Sequence, residues 1–310
     1  MATTIRIAVT MTIRAGEAFE IALGLAERNL PDGSEIIVSY GVGNSRLGGF
    51  EAPRLLAEGK ADLAFLNPSP VTHMALNGLA PYSERIDIRN LAVFPSWDKI
   101  AFAVRRDLGV RSLEEFGEKK LPLRLSTRGQ GPEGTTEFTI RRILSLCGWS
   151  LEDVDQWDGT VDQVPVPSHP RRMEGIEQGA YDAVFDEGIT GWTADALARD
   201  MVLLPLQPSV FAEMEQLGFR RSTIPKAAFP ALAADVPALE FGGWPLFCRA
   251  DFPDDLAYAV VKAIAARKDT MPVDGDRFDM SRICRDTEEG PMCIPLHPGA
   301  ERYYREAGYL

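Results

Sequence analysis

Arg128 and the glycine-rich loop after it form the stretch of this sequence best suited to chemistry. The segment Gly129–Gly134 has glycine at its first, third and sixth positions, which lets the backbone approach a ligand closely. Thr135 or Thr136 then begins a helix, and the free amide N–H groups at a helix start favour an anion. The Arg128 guanidinium has the geometry to grip a carboxylate through two parallel hydrogen bonds. We therefore expect either a small-carboxylate site at this loop or a loop that only turns the chain.

The same glycines spell the G-x-G-x-x-G pattern of dinucleotide-binding loops, but the surrounding sequence argues against that function. A dinucleotide site needs a second strand that ends in an acidic residue about 20 residues further on. Here the helix runs into Gly148–Asp153, which contains no such strand, and Pro132 removes one amide from the loop. No G-K-[S/T] sequence is present, so a phosphate-binding P-loop is not predicted either. The sequence predicts no cofactor.

The elements that position this loop alternate between strands and helices. A buried strand, Leu123–Ser126, precedes the loop, and the helix after it places Ile140, Ile143 and Leu144 on one face. Further strands are predicted at Ile5–Val9, Glu35–Tyr40, Ala61–Leu66, Leu91–Pro95, Ile100–Val104, Tyr181–Phe185 and Val202–Leu206. Helices are predicted at Glu17–Leu30, Pro53–Glu58, Arg171–Gln178, Thr193–Arg199 and Leu256–Ala266. This alternation predicts an α/β fold.

An internal echo indicates two similar lobes. The segment Leu55–Phe65 resembles Gly175–Phe185, and the matching Gly, Asp and Phe are each 120 positions apart. We predict that residues 1–102 and 207–310 form one lobe and that residues 103–206 form the other. Because ligands of such folds bind at the carboxyl ends of strands, a small molecule is expected in a cleft between the lobes.

The hinge of this two-lobe interpretation is placed near Ile100–Val104, with a return crossing after Leu206. The matching aspartates Asp62 and Asp182 each lie at the second position of a predicted strand that contributes to the echo. We interpret both as residues that cap turns or face solvent.

Polar side chains follow several of the predicted strands. The candidate ligand-binding residues of this kind are Thr10, Thr12, Asn44, Ser45, Asn67, Ser69, Asp186 and Glu187, although strand-end threonines are also ordinary turn residues. Trp97, Trp192 and Trp244 lie at or near strand ends and either form apolar walls around the ligand or belong to the core. Asp186 or Glu187 would pair with a ligand amine and would repel the carboxylate of a ligand without one. These two residues therefore decide the ligand class.

Composition and charge exclude several other functions. The 310-residue chain has a formal net charge of −12, which disfavours nucleic acid and anionic membranes as partners. Its three histidines are far apart in sequence, so no metal site is predicted. No catalytic residue is assigned, except that His169 is the candidate base if the protein is an enzyme. Cys284 and Cys293 either form a disulfide or remain free thiols.

The sequence also carries expectations about location. No apolar segment approaches 18 residues, so we expect no direct membrane insertion. The first residues, MATTIRIAVTMTIR, read as a strand rather than as a signal peptide. We therefore expect a cytoplasmic protein as the sequence is written, or a periplasmic protein if a leader was trimmed.

The order of these motifs resembles the TAXI group, the solute receptors of TRAP-type transporters, within the type II periplasmic-binding-protein fold. The resemblance rests on Gly43–Ser45, Glu58–Asp62, Gly129–Gly148, Gly179–Ala183 and, most distinctively, the tail Ile294–Tyr304. It implies a two-lobe hinge protein that closes on an organic acid or amino acid. It also implies TRAP membrane subunits as partners.

A second resemblance keeps an enzyme open as the alternative. The absence of a leader and the segment Val93–Ser96 are similar to features of dihydroxyphthalate decarboxylases. That resemblance implies a cytoplasmic decarboxylase or related lyase acting on an aromatic or dicarboxylic acid, with His169 as its candidate base. Of the two functions, we favour solute binding.

Overall fold

The computed structural model describes residues 2–9, 14–27, 30–41, 49–131, 134–272 and 278–310. The chain forms two compact units, which we call the first unit (Met1–Trp97 with Gly242–Leu310) and the second unit (Asp98–Phe241). The chain passes from one unit to the other twice.

The helices and strands follow one another in the order that the sequence pattern predicts, with several additional elements. The elements before the first crossing are β1 (Thr4–Val9), α1 (Ala15–Glu27), β2 (Glu35–Tyr40), α2 (Glu51–Ala57), β3 (Leu63–Phe65), α3 (Pro70–Asn77) and β4 (Ile88–Phe94). Those of the second unit are β5 (Lys99–Arg105), α4 (Glu114–Lys119), β6 (Arg124–Arg128), α5 (Thr135–Leu146), α6 (Leu151–Gln156), β7 (Thr160–Val164), α7 (Pro170–Glu177), β8 (Ala183–Asp186), α8 (Thr193–Ala198), β9 (Met201–Leu204), α9 (Pro208–Gln216), β10 (Arg221–Ile224) and β11 (Val236–Glu240). Those after the second crossing are β12 (Trp244–Arg249), α10 (Asp254–Ala266), α11 (Met280–Ile283) and α12 (Pro298–Glu306).

Each unit contains its own sheet, and the two sheets share one strand order. Within the described residues, the first sheet runs β2-β1-β3-β12-β4, and the second contains β7-β6-β8-β5 with β9 also paired to β5. The fourth strand of each series, β12 or β5, is antiparallel to both of its neighbours, whereas the first three strands are parallel. The second sheet is extended past β5 by the antiparallel pair β11 and β10. The predicted α/β class with two similar lobes is confirmed.

Strand β5 explains where the units divide. Its residues pair with β8 on one side and with β9 and β11 on the other, so the whole strand belongs to the second unit. The segment 207–241 also belongs to that unit, because β11 extends its sheet. The units therefore divide after Trp97 and after Phe241, whereas the sequence placed the boundaries at 102/103 and 206/207. The hinge position stays a prediction.

The echoed aspartates have the same role in both units, and it differs from the expected one. The Asp62 carboxylate accepts hydrogen bonds from the backbone N–H of Arg6 (2.8 Å), its Nε (3.0 Å) and its Nη2 (2.9 Å). The Asp182 carboxylate accepts the corresponding bonds from Arg124, at 2.9, 3.0 and 2.6 Å. Each aspartate is therefore a clamp on the matching strand of its sheet, β1 or β6, and the interpretation as a turn cap or solvent-facing residue is wrong.

The core of each unit is built from the apolar faces that the sequence pattern indicated. In the first unit, alternate β1 residues Ile5, Ile7 and Val9 are fully buried in a cluster that also includes the apolar face of α10. In the second unit, the Phe102 ring lies 5.0 Å from that of Phe185 and contacts further aromatic rings on α4 and after α5. These cores hold the strand ends in fixed positions.

Two further expectations concern membranes and cysteines. Among the described helices, none is long and apolar enough to cross a bilayer. Cys284 and Cys293 are not joined by a disulfide, so of the two alternatives left by the sequence the structure has the thiols.

Candidate functional site

The carboxyl ends of β6, β7 and β8 lie at one edge of the second unit's sheet, because these three strands are parallel. That edge carries Arg128, the last residue of β6, and Asp186, the last residue of β8. Glu187 follows directly. Three of the predicted ligand-binding residues are therefore neighbours, as expected for strand ends in an α/β fold.

Arg128 is bound by the two acidic residues. Its Nη2 lies 3.0 Å from Asp186 Oδ1, its Nε donates to Asp186 Oδ2 at 3.3 Å, and its Nη2 also contacts the Glu187 carboxylate. The Arg128 side chain is 3% exposed, that of Asp186 is fully buried, and that of Glu187 is 14% exposed. In this structure, the guanidinium that the sequence assigned to a ligand carboxylate thus holds carboxylates of the protein itself.

A second arginine, which the sequence analysis missed, binds the other side of Asp186. Arg172 lies near the start of α7, is fully buried, and pairs through Nη1 with Asp186 Oδ2. Its Nε donates to Ser126 Oγ (2.9 Å), and Nη1 also donates to the Pro167 carbonyl (3.0 Å). The sequence did hold a signal: a cation in the first turn of a helix is unfavourable unless an anion balances it.

Asp98 adds a third carboxyl group to the cluster. It accepts N–H groups from Gly188 (2.9 Å), Ile189 (3.3 Å) and Lys99 (2.8 Å), and it lies within hydrogen-bond reach of Glu187. Burial, and then repulsion from the Glu187 carboxylate, raise the pKa of Asp98 well above its ordinary value. We refer to Asp98, Arg128, Arg172, Asp186 and Glu187 as the strand-end cluster.

The glycine-rich loop is occupied by the protein's own side chains. The Glu137 carboxylate, which is 2% exposed, accepts the amide N–H groups of Gln130 (3.0 Å) and Gly131 (2.7 Å). The Thr136 amide donates to the Gln130 side chain at 3.2 Å. Of the helix-start amides that the sequence offered to a ligand, that of Thr136 is thus engaged by the protein itself, and the ligand-binding role of this turn stays a prediction. The loop does bind an anion, but the anion is Glu137.

The remaining predicted residues of the second unit are buried or engaged. Trp192 is fully buried and donates through Nε1 to the Glu187 carbonyl at 3.0 Å, so it helps to hold the backbone of the strand-end cluster. Thr135 and Thr136 are also buried. The His169 Nδ1 accepts the Arg171 N–H at 3.3 Å and so caps α7.

In the first unit, three predicted residues surround the start of β12. Asn67 donates through Nδ2 to the Gly243 carbonyl at 3.0 Å. Ser69 is buried, and its Oγ would lie 2.2 Å from a Cβ at position 243, where φ is +79°. Only glycine fits there. Trp244 is 7% exposed, with the Arg14 guanidinium 4.9 Å from its ring centroid.

The other predicted residues of the first unit can be placed only in part. Trp97 is half-buried beside the first crossing. Thr10, Thr12, Asn44 and Ser45 lie outside the described residues. Across the described parts of the chain, no group of three or more His, Cys, Asp or Glu side chains has the arrangement of a metal site. The ligand-binding roles assigned from the sequence stay predictions.

A comparison with protein-family models shows which family the chain belongs to. The model of the NMT1-like family matches residues 24–308, nearly the whole sequence. The chain belongs to the NMT1-like family. This NMT1-like chain has the α/β fold with two sheets that the sequence predicted.

Solved structures that the NMT1-like chain resembles share little sequence with it. MatC from Rhodopseudomonas palustris, solved with bound malate, is 14% identical over 99% of this chain and 97% of that chain, with a TM-score of 0.44. A TctC solute-binding protein from Polaromonas is 17% identical over 85% of this chain and 83% of its own, with a TM-score of 0.42. PhnD1 from Prochlorococcus marinus, in complex with methylphosphonate, is 10% identical over 99% of both chains, with a TM-score of 0.45.

Proposed function

We propose that the protein is a solute-binding protein for a small organic acid or amino acid, of the TAXI type that serves TRAP transporters. The family match, the two similar α/β units and the strand-end cluster support this function. The single observation that carries it is the Arg128–Glu187 ion pair at the carboxyl edge of parallel strands. There an anion-binding and a cation-binding group lie side by side.

The charge of the strand-end cluster favours an amino acid over a simple organic acid. Two guanidinium groups, Arg128 and Arg172, face two carboxylates, Asp186 and Glu187. A third carboxyl group, that of Asp98, has its pKa raised well above the ordinary value by burial and by Glu187, which favours its protonated form. With Asp98 protonated, the two guanidiniums and two carboxylates of the cluster balance. A ligand with one carboxylate would leave a buried net charge of about −1, which is costly, whereas a zwitterion would leave the cluster neutral.

When a zwitterionic ligand binds, the Arg128–Glu187 ion pair is replaced by two ion pairs of the same kind, one to the ligand carboxylate and one to the ligand amine. Arg128 would transfer from Glu187 to the ligand carboxylate, and Glu187 would take the ligand amine. Asp186 would hold the guanidinium in place during this exchange through its bonds to Nε and Nη2. Arginine suits this role because its planar fork binds two carboxylates at once.

A ligand screen followed by calorimetry tests the proposal. We expect at least one amino acid or organic acid to raise the thermal midpoint of the protein and to bind saturably. Arg128→Lys and Glu187→Gln are expected to weaken that ligand by about tenfold or more, since each removes one charge-assisted contact while preserving side-chain size. Arg142→Lys, on the exposed face of α5, is the matched control.

Two outcomes would contradict the proposed function. One is that no compound of a panel covering the common amino acids and dicarboxylates shifts the midpoint. The other is that both cluster variants bind a confirmed ligand as the wild type does. Delivery to TRAP membrane subunits requires a periplasmic protein, so fractionation of cells that make the natural gene product tests that part separately.

A further inference from the structure

We infer that Arg172 is a specificity-determining residue: by balancing Asp186 it sets the charge of the strand-end cluster and so requires a carboxylate on the ligand beside its amine. This inference rests on the proposed function. It assigns a role to a residue that reaches the site only through Asp186, so Arg172 acts as a positioning and charge-balancing residue rather than as a direct ligand contact.

The geometry places Arg172 directly behind Asp186. The fully buried Asp186 carboxylate lies between two guanidiniums, with Arg128 on Oδ1 and Oδ2 and Arg172 on Oδ2. Asp186 Oδ1 also accepts the Glu187 N–H at 2.8 Å, which fixes its orientation. Arg172 is itself held by Ser126 Oγ on β6 and by the Pro167 carbonyl before α7.

The surroundings of one nitrogen of Arg172 indicate that the important property of this side chain is its positive charge. Nη2 is buried without a hydrogen-bond partner in the part of the chain that the structure describes. An unsatisfied buried N–H is unfavourable, and so is a cation in the first turn of α7. Both are explained if the essential property is a positive charge behind Asp186.

The charge count shows what Arg172 changes. With it, the cluster has two positive and two negative groups, and Arg128 is able to leave Glu187 for a ligand carboxylate. Without it, Asp186 and Glu187 share the single guanidinium of Arg128. The cluster then has an excess negative charge, which repels a ligand carboxylate and favours a simple amine.

The experiment compares Arg172→Met and Arg172→Lys with Arg171→Met. Arg171 is the matched control, because it is on the same turn of α7 but is more than half exposed and pairs with Asp162. The probes are three matched sets, each with an amino acid, its amine and its acid: alanine, ethylamine and propionate; leucine, isoamylamine and 4-methylpentanoate; phenylalanine, phenethylamine and 3-phenylpropanoate. Affinities are measured by calorimetry, or by competition against any ligand found in the wider screen.

Arg172→Met is expected to lower the ratio of amino-acid to amine affinity by about tenfold or more, because the ligand carboxylate then meets an excess negative charge. Arg172→Lys, which keeps the charge, and Arg171→Met are expected to keep the wild-type ratio. An equal weakening of amine and amino acid by Arg172→Met would show a purely structural role and would overturn the inference.

A measurement without ligand separates failure of this inference from failure of the proposed function. The charged groups that face Arg172 are Asp186 directly and Arg128, Glu187 and Asp98 through it. Burial raises the pKa of Asp186, and Arg128 and Arg172 oppose that rise. If Arg172 balances Asp186, its removal raises this pKa further, so the loss of unfolding free energy in Arg172→Met grows as the pH rises from about 4 to 8. A loss that does not change with pH overturns the charge role, whether or not any ligand binds.

Discussion

The two arginine–aspartate clamps provide a matched pair for testing how much each unit depends on its echoed residue. Asp182→Asn keeps the size of the side chain but replaces a carboxylate with a neutral amide. It removes the charge from three hydrogen bonds to Arg124 and from a fourth contact, with Arg105 Nη1 at 3.3 Å. Asp62→Asn does the same for the three bonds to Arg6 in the first unit.

The expected magnitude follows from burial. The Asp182 side chain is 12% exposed, but Arg124 is 43% exposed, so solvent screens much of the attraction. A loss of about 1–2 kcal/mol in the free energy of unfolding is therefore expected for Asp182→Asn, less than for a fully buried pair. Asp62 is 22% exposed and lacks the fourth contact, so its loss should be smaller, about 1 kcal/mol.

The pH dependence identifies the cause of the loss. Burial acts to raise the pKa of Asp182, but its hydrogen bonds from Arg124 together outweigh burial, and the pKa is lowered. A lowered carboxyl pKa stabilises the folded state above the unfolded pKa of about 4, and this contribution disappears as the pH falls through the folded pKa. The difference between wild type and Asp182→Asn should be constant near neutral pH and should vanish in acid.

Urea titrations followed by far-UV circular dichroism measure both quantities, provided that the transitions are checked for two-state behaviour. The reasoning is refuted if Asp182→Asn is as stable as the wild type at neutral pH. It is also refuted if the difference does not shrink as the pH is lowered into the acid range, where a carboxyl group with a lowered folded pKa loses its contribution.

Three other variants test separate parts of the second unit. Asp98→Asn should gain stability relative to the wild type as the pH rises, because a carboxyl group with a raised folded pKa loses stability in that direction; a difference that is flat from about pH 5 to 8 would contradict this. Glu137→Gln should lose about 1–3 kcal/mol of unfolding free energy because its buried carboxylate holds two loop amides, whereas the exposed Glu152→Gln should lose little. His169→Ala should lose about 0.5–1 kcal/mol with its helix cap and leave ligand affinity unchanged, and calorimetry would detect a change.

Much of the fold could be predicted because local signals agree with it. Periodicity gave β2 at its observed bounds, and the echo indicated that β3 and β8 occupy matching positions. The missed elements have weaker patterns: the residues of β7 are mostly polar and partly exposed. Helix α6 did carry a signal, since Ser150 and Asp153 form a capping box that was readable as S-x-x-D.

The candidate site was less predictable, because its geometry depends on contacts between distant residues. The sequence identified Arg128, Asp186 and Glu187 as polar strand ends but could not show that they pair with each other. Arg172 lies 14 residues before Asp186, on a helix rather than at a strand end. Nothing local indicates that the two meet. Likewise, only the folded loop shows that Glu137 binds amides six and seven residues before it.

The late position of β12 in the sequence determines the order in which the two units can be completed during synthesis. The second unit is one continuous segment from Asp98 to Phe241, so all of its strands are available for pairing once Phe241 has left the ribosome. The first unit has to wait, because β12 must insert between β3 and β4 after they have been made. Until then, the nascent chain exposes two unmatched strand edges, which are open to wrong partners. Premature termination before about residue 250 would therefore leave a finished second half attached to an unfinished first half.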